Sequence, residues 1–343
     1  MNHRIVPLID KLIKIDVPIN RKEKENNMSE TVIEVKNVVK RYKELIALDN
    51  FNMKIQKGEV FGLLGPNGSG KTTTINCILS LLNFNNGEIK VFGEKMKSSR
   101  YDLKKRIGVV MQNVAVFDEL TVYENIDYFC GLYIEDKATR KQYVEDAIKF
   151  VGLENFTKFR PKKLSGGLLR RLNIACGIAH KPELIFMDEP TVAVDPQSRN
   201  KILEGITELN RNGATIIYTS HYMEEVEQIC THILIMDKGK NVAEGTADEL
   251  KRSIKNTENV IVDVKKLGKE HIEAVGKLNH VYDVKYMGDR LTIKCAGARH
   301  NISHVIDYFA ENSIDYDRIY SELPTLNDVF LEITGTSLRD QEA

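Results

Sequence analysis

The residues best suited to chemistry form the run Gly65-Pro66-Asn67-Gly68-Ser69-Gly70-Lys71-Thr72, followed by Thr73. Its spacing, G-x-x-x-x-G-K-[ST], is that of a phosphate-binding P-loop. The glycines let backbone N–H groups close around an anion without Cβ clashes. A helix beginning near Lys71 adds its positive dipole end. Lys71 has the reach for β- and γ-phosphates, and the Thr72 hydroxyl is suited to Mg²⁺. A second cluster, Leu184-Ile185-Phe186-Met187-Asp188-Glu189-Pro190, ends an apolar strand in two adjacent carboxylates. Beside a P-loop, Asp188 fits the Mg²⁺-binding acid and Glu189 a base that orients and deprotonates water. A third, Leu164-Ser165-Gly166-Gly167, leads into a helical pattern over Leu168 to His180. Its amides would face an anion at a helix N-terminus.

These loops need rigid supports. Val60 to Leu64 is a short apolar run, as expected of a strand buried on both faces. It enters the P-loop, and a helix over Thr72 to Leu82 leaves it. Leu184–Met187, Thr215–Tyr218 and His232–Met236 read as further buried strands separated by helical stretches. The fold class expected is α/β with a parallel sheet. Val32–Val35 and Phe51–Ile55 alternate at period two, so the chain opens strand-rich. Residues at about 115–165 read as an inserted helical subdomain. Beyond residue 255 the expected order is strand 260–264, helix 269–278, strands 281–286 and 290–295, helix 302–312 and strand 314–320. That is β-α-β-β-α-β, a small α+β domain over 255–336, closed by a helix over Leu326 to Ile333. Residues 31–254 form the main domain and 337–343 a tail. Residues 1–30 are expected to be a leader, disordered or the product of a start assigned too early. The alternative for them, an amphipathic membrane-surface helix, is weakened by Pro7, Pro18 and mixed charges.

Bulk properties narrow the partners. The 343 residues carry 49 Lys plus Arg and 49 Asp plus Glu, a formal net charge of zero. A general nucleic-acid binder would carry a basic excess, so no nucleic-acid partner is expected. The five cysteines are widely spaced with no CxxC pair, which fits small buried side chains rather than a metal site. No apolar run reaches the ~20 residues of a membrane span; the nearest, Val60 to Gly87, is broken by Lys71. Any action at a membrane would pass through a partner.

The three motifs in this order resemble the ATP-binding cassette (ABC) ATPases, over about residues 32–250. The resemblance implies ATP and Mg²⁺ as ligands and assigns further roles. Tyr42 would stack on adenine, with a strand-end aromatic as the lesser alternative. Gln112 would touch Mg²⁺ and sense the γ-phosphate, with Thr72 and Asp188 as the other metal ligands. His221 would contact the γ-phosphate, and Asp195 would be the D-loop acid. Two positions depart from the family pattern: Leu168 stands where Gln is common, and Ala193 where Gly is frequent. In such enzymes the P-loop of one subunit faces the Ser-Gly-Gly of another across ATP. The resemblance therefore implies a second cassette, identical or related.

The run Pro324 to Gly335, with Glu189-Pro190-Thr191, Asp195 to Arg199 and Tyr218 to Glu225, is similar to bacterial daunorubicin-resistance-like export ATPases. That group implies an ABC-2-type membrane permease, a place on the cytoplasmic face of the membrane, and export of a drug, antibiotic, peptide or lipid-like compound. An importer ATPase would need the same cassette chemistry. A soluble ABC ATPase acting on ribosomes or DNA is disfavoured by the single P-loop, the neutral charge and the lack of sustained heptads.

Overall fold

The computed structural model describes residues 30–254, 257–296, 301–322 and 324–334. The expectations for residues 1–29 and for the tail lie outside them. The first strands are β1 (Thr31–Tyr42), β2 (Leu45–Gln56) and β3 (Val60–Leu64). They are followed by α1 (Lys71–Ile78), β4 (Asn86–Val91), β5 (Glu94–Lys95), α2 (Tyr101–Lys104) and β6 (Ile107–Val110). Three helices come next: α3 (Val122–Gly131), α4 (Lys137–Val151) and α5 (Gly166–Ile178). Then come β7 (Leu184–Asp188), α6 (Pro196–Arg211), β8 (Thr215–Ser220), α7 (Met223–Ile229), β9 (His232–Asp237), β10 (Lys240–Gly245) and α8 (Ala247–Ser253).

One sheet has the order β10-β9-β3-β8-β7-β6, parallel except for the β9–β10 hairpin. A second, antiparallel sheet runs β2-β1-β4-β5. The parallel strands are buried on both faces, which is why they read as continuous apolar runs. In β3, Phe61 and Leu63 pack toward α1 and the antiparallel sheet, with Phe51, Ile75 and Phe186. Val60 and Leu64 turn to the opposite face, with Leu172, Met187, Tyr218 and Val226. Each such side chain removed from water contributes about 1.5–3 kcal/mol.

Helix starts follow local chemistry. Thr121 and Glu124 form a capping box at α3, Asp136 caps α4, and Gly152 ends α4 at φ +67°. Helix α1 is shorter than its apolar pattern: it stops at Ile78, and Ser80 at φ +53° turns the chain away.

The last elements are β11 (Thr257–Asp263), α9 (Lys269–Val275), β12 (Val281–Met287), β13 (Arg290–Ala296), α10 (Asn301–Glu311), β14 (Arg318–Glu322) and α11 (Leu326–Thr334). They build an antiparallel sheet of order β12-β13-β11-β14 around Val260, Val262, Leu291, Ile293, Val305 and Phe309. The final strand lies later than its apolar start suggests. Ile314 packs on this core from the turn after α10, its N–H on the Phe309 carbonyl (2.9 Å), and pairing begins at Arg318. Helix α11 returns to the first core, burying Leu326, Val329 and Phe330 with Val226, Ile229 and Leu250. Asp328 of α11 pairs with Lys294 of β13. Among the described residues, no helix is long and apolar enough to cross a membrane.

Candidate functional site

Four neighbouring parallel strands, β3, β8, β7 and β6, deliver their C-terminal ends to one edge of the sheet. Open α/β sheets bind ligands at that edge. The P-loop leaves β3. Gly68 and Gly70 sit at φ +78° and +110°, a region that side chains strain to enter. A Cβ on Gly70 would stand 2.8 Å from the Ala47 carbonyl. Gly70 offers no side-chain cap to α1, so its first-turn amides are left for another acceptor. The Ser69 hydroxyl is buried without a hydrogen-bond partner among the described residues. Pro66 is buried, Asn67 and Thr72 are exposed, and Thr73 is half-buried. These features fit an anion with several oxygens.

Lys71 is buried, its ammonium donating to the carbonyls of Gly65 (2.8 Å) and Pro66 (3.2 Å). Glu189 Oε1 lies 3.4 Å from it. Burial lowers the lysine below its ordinary value, against the pull of Glu189 and Asp188. Asp188 ends β7 and joins its neighbours: Oδ2 accepts from Thr72 Oγ1 (2.9 Å) and Oδ1 from Thr219 Oγ1 (2.6 Å). Thr72 and Asp188 thus present adjacent hard oxygens. The described residues hold no cluster of three or more His, Cys, Asp or Glu able to hold a metal. A Mg²⁺ here would complete its shell from phosphate and water, as is usual for that ion.

Glu189 adopts φ +48°, a strained backbone for a side chain of its size. Its N–H donates to Thr219 Oγ1 at 2.9 Å. Its Oε2 lies 3.3 Å from His221 Nδ1 and accepts from Gln112 Nε2 at 3.5 Å. Burial pushes this carboxyl up, but His221 and Lys71 outweigh it and hold the pKa below the ordinary value. A carboxylate so held is ionised at neutral pH, as a base must be.

Lys71, Thr72, Gln112, Asp188, Glu189 and His221 are therefore joined in one network. The other candidates stand apart from it. Tyr42 is 42% exposed at the end of β1, with the Lys40 ammonium 4.6 Å above its ring. Ser165 caps α5, accepting from the Leu168 N–H (3.4 Å). Leu164 is half-buried, and Ser165 and Gly166 are exposed. Gly167 is wedged against α6, where a Cβ would stand 2.4 Å from Ser198 Oγ. Asp195 caps α6 through the Ser198 N–H (3.0 Å). Ala193 lies at φ +58°, which explains why glycine suits that position.

Some contributors escape the motif reading. Thr219 holds both Asp188 and Glu189, yet in the sequence it is one more β-branched residue of a strand. Arg170 and Asn173 of α5 bond the Gln112 (2.8 Å) and Met111 (3.2 Å) carbonyls respectively, fixing the turn after β6. Only their one-turn spacing behind Ser-Gly-Gly hints at a shared face.

Residues 48–192 match the ABC transporter family, and residues 245–334 match the C-terminal domain of DrrA1-3-like ATP-binding proteins. The chain is 36% identical to the linearmycin resistance ATP-binding protein LnrL of Bacillus subtilis, over 90% of this chain and 100% of that protein. It is 31% identical to the daunorubicin resistance ATP-binding protein DrrA3 of Streptomyces coeruleorubidus, over 92% and 100%. Among solved structures it is similar to a dimeric ATP-binding cassette in a post-hydrolysis state bound to ADP and Pi. That cassette has TM-score 0.58 and 29% identity, over 62% of this chain and 98% of that one. With the P-loop, the paired acids and the sheet edge that joins them, these likenesses establish that the chain belongs to the ATP-binding proteins of ABC transporters, which hydrolyse ATP to drive transport.

Proposed function

We propose that this ATPase powers an exporter through a site shared between two cassettes. The observation that carries the reading is an asymmetry. Lys71, Asp188, Glu189, Gln112 and His221 converge at one sheet edge, while Ser165 and Gly166 stand exposed, the Ser165 hydroxyl accepting from the Leu168 N–H of its own helix start. Residues 65–73 cradle the triphosphate, Tyr42 stacks on adenine, and Thr72, Gln112 and Asp188 hold Mg²⁺, which neutralises phosphate charge when bound. Glu189 takes a proton from the attacking water, and His221 orients the γ-phosphate side. Leu164, Ser165, Gly166 and Gly167 of a second cassette close over the same ATP, and Asp195 fixes the neighbouring loop. Hydrolysis then removes the link between the cassettes and lets them part.

The chain docks, on this reading, at the cytoplasmic face of the membrane on an ABC-2-type permease. The ATP-binding domain spans 31–254, with its helical subdomain at about 115–165, and the smaller domain spans 255–336. The resistance and export names of LnrL, DrrA3 and the Nod factor export ATP-binding protein I of Cupriavidus metallidurans (32% identical) support export of a drug, antibiotic or lipid-like compound. The test is capture of Glu189→Gln with ATP from native membranes in mild detergent, read by mass spectrometry. A multi-span permease is expected. Recovery of ribosomal or DNA-bound proteins without one would overturn the reading.

A further inference from the structure

We propose that Glu225 is a positioning residue for hydrolysis: one buried carboxylate that holds the Glu189 turn, the His221 turn and the first turn of α6 in a single arrangement. The inference rests on the roles given above to Glu189 and His221. Glu225 lies on α7 and is 3% exposed. Its Oε2 accepts from three hydroxyls: Tyr218 (2.7 Å), Thr191 (2.8 Å) and Ser220 (3.1 Å). Thr191 stands two residues after Glu189, and Ser220 one before His221. Ser220 Oγ also accepts from the Tyr222 N–H at 2.9 Å, so the start of the His221 turn is gripped on both sides.

The other oxygen reaches α6. Glu225 Oε1 lies 3.2 Å from Arg199 Nε. The Arg199 guanidinium sits 4.8 Å from the Tyr222 ring centroid, and the Tyr222 and His221 rings are 4.1 Å apart. A run of contacts therefore links Glu225, Arg199, Tyr222, His221 and Glu189, and the backbone from Glu189 to Thr191 closes it back to Glu225. Burying a carboxylate is costly, and an apolar residue would serve better if packing were all that was needed. Only an acceptor with several lone pairs can gather three hydroxyls on one atom. The phenol of Tyr218 stays a donor, because burial and the Glu225 charge hold its pKa well above the ordinary value. Among the described residues Glu225 hydrogen-bonds or ion-pairs with Thr191, Tyr218, Ser220 and Arg199, not with Glu189 or His221 themselves. It sets the separation between them, and displacement of a catalytic group by about 1 Å can cost on the order of a hundredfold in rate.

The test is steady-state ATP hydrolysis by the full-length chain, with each rate normalised to sites that bind a fluorescent ATP analogue. Glu225→Gln keeps the shape but sets an amide against Arg199. Tyr218→Phe removes one hydroxyl and nothing else. Glu225→Gln is expected to lower kcat about tenfold or more with KM and analogue affinity unchanged. Tyr218→Phe is expected to lower kcat less, in the same direction. Wild-type kcat per site in Glu225→Gln, or affinity and kcat falling together, overturns the proposal. Where Glu225→Gln binds no analogue because it does not fold, Tyr218→Phe decides: reduced kcat supports it, and wild-type kcat overturns it. Glu189→Gln, run alongside, separates the two readings. If that variant turns over normally, the site assignment itself fails. If it is inactive while Glu225→Gln is normal, only the positioning role fails.

Discussion

At the scale of single residues, the proposed mechanism depends on keeping one carboxylate ionised in a buried place. Lys71 and His221 do this for Glu189 against the cost of burial. Glu189→Gln is expected to cut turnover by about 10²–10⁴-fold, the usual share of a general base, while nucleotide affinity in an equilibrium binding titration stays as in the wild type. Ala193 at φ +58° carries a different message. Glycine enters the left-handed region freely, so Ala193→Gly should raise stability by up to about 1 kcal/mol in chemical denaturation. A loss of stability would mean that the loop is not held in that conformation. Much of this network was readable from motifs. A lysine after a glycine loop and paired acids after an apolar run each have a recognisable spacing, whereas His221 and Gln112 stand out only through the family resemblance. Thr219 was not readable. Its hydroxyl matters only because β8 lies beside β7, and that adjacency is not a local property of the sequence.

At the scale of elements, buried parallel strands announce themselves, because both faces are apolar. The short or charged strands β4, β5 and β10 do not, since Asn86–Val91 mixes Gly, Glu and Lys with only two buried residues. Ile314 misleads for the opposite reason: it is apolar because it packs on a core, not because it pairs. The α5 start and the α6 start form one packed unit through Gly167. A methyl group on Gly167 would meet Ser198 Oγ at 2.4 Å and Ser198 Cβ at 2.8 Å, with no flexible end to give way. Gly167→Ala should therefore cost about 1–3 kcal/mol in denaturant titration. It should also displace Ser165, weakening ATP-dependent pairing of cassettes more than it weakens ATP binding.

At the scale of the whole molecule, the long-range feature is α11, which leaves the last sheet to bury Leu326, Val329 and Phe330 in the first core. No local pattern shows this return; an apolar helix at the end of a chain looks alike wherever it packs. Asp328 locks the helix in place, accepting from the Thr325 N–H (2.9 Å) and hydroxyl (2.8 Å) and pairing with Lys294. Burial pushes Asp328 up, but Lys294 and Thr325 override it and leave the pKa lowered. A lowered carboxylate stabilises the fold above its unfolded pKa, and the effect is lost as pH falls through the folded value. Asp328→Asn leaves the half-buried Lys294 without this partner and should cost about 1–3 kcal/mol at neutral pH. The gap between wild type and variant should narrow on acidification below the carboxylate range, measured by urea denaturation at a series of pH values. A constant gap would show that the charge pair is not the source.

On the proposed mechanism, one chain holds only half of each working site. The most direct measurement is the molar mass of Glu189→Gln by light scattering, with and without saturating ATP. A mass of 39.1 kDa is expected without nucleotide and a doubled mass with ATP. An unchanged mass while ATP is demonstrably bound would contradict it.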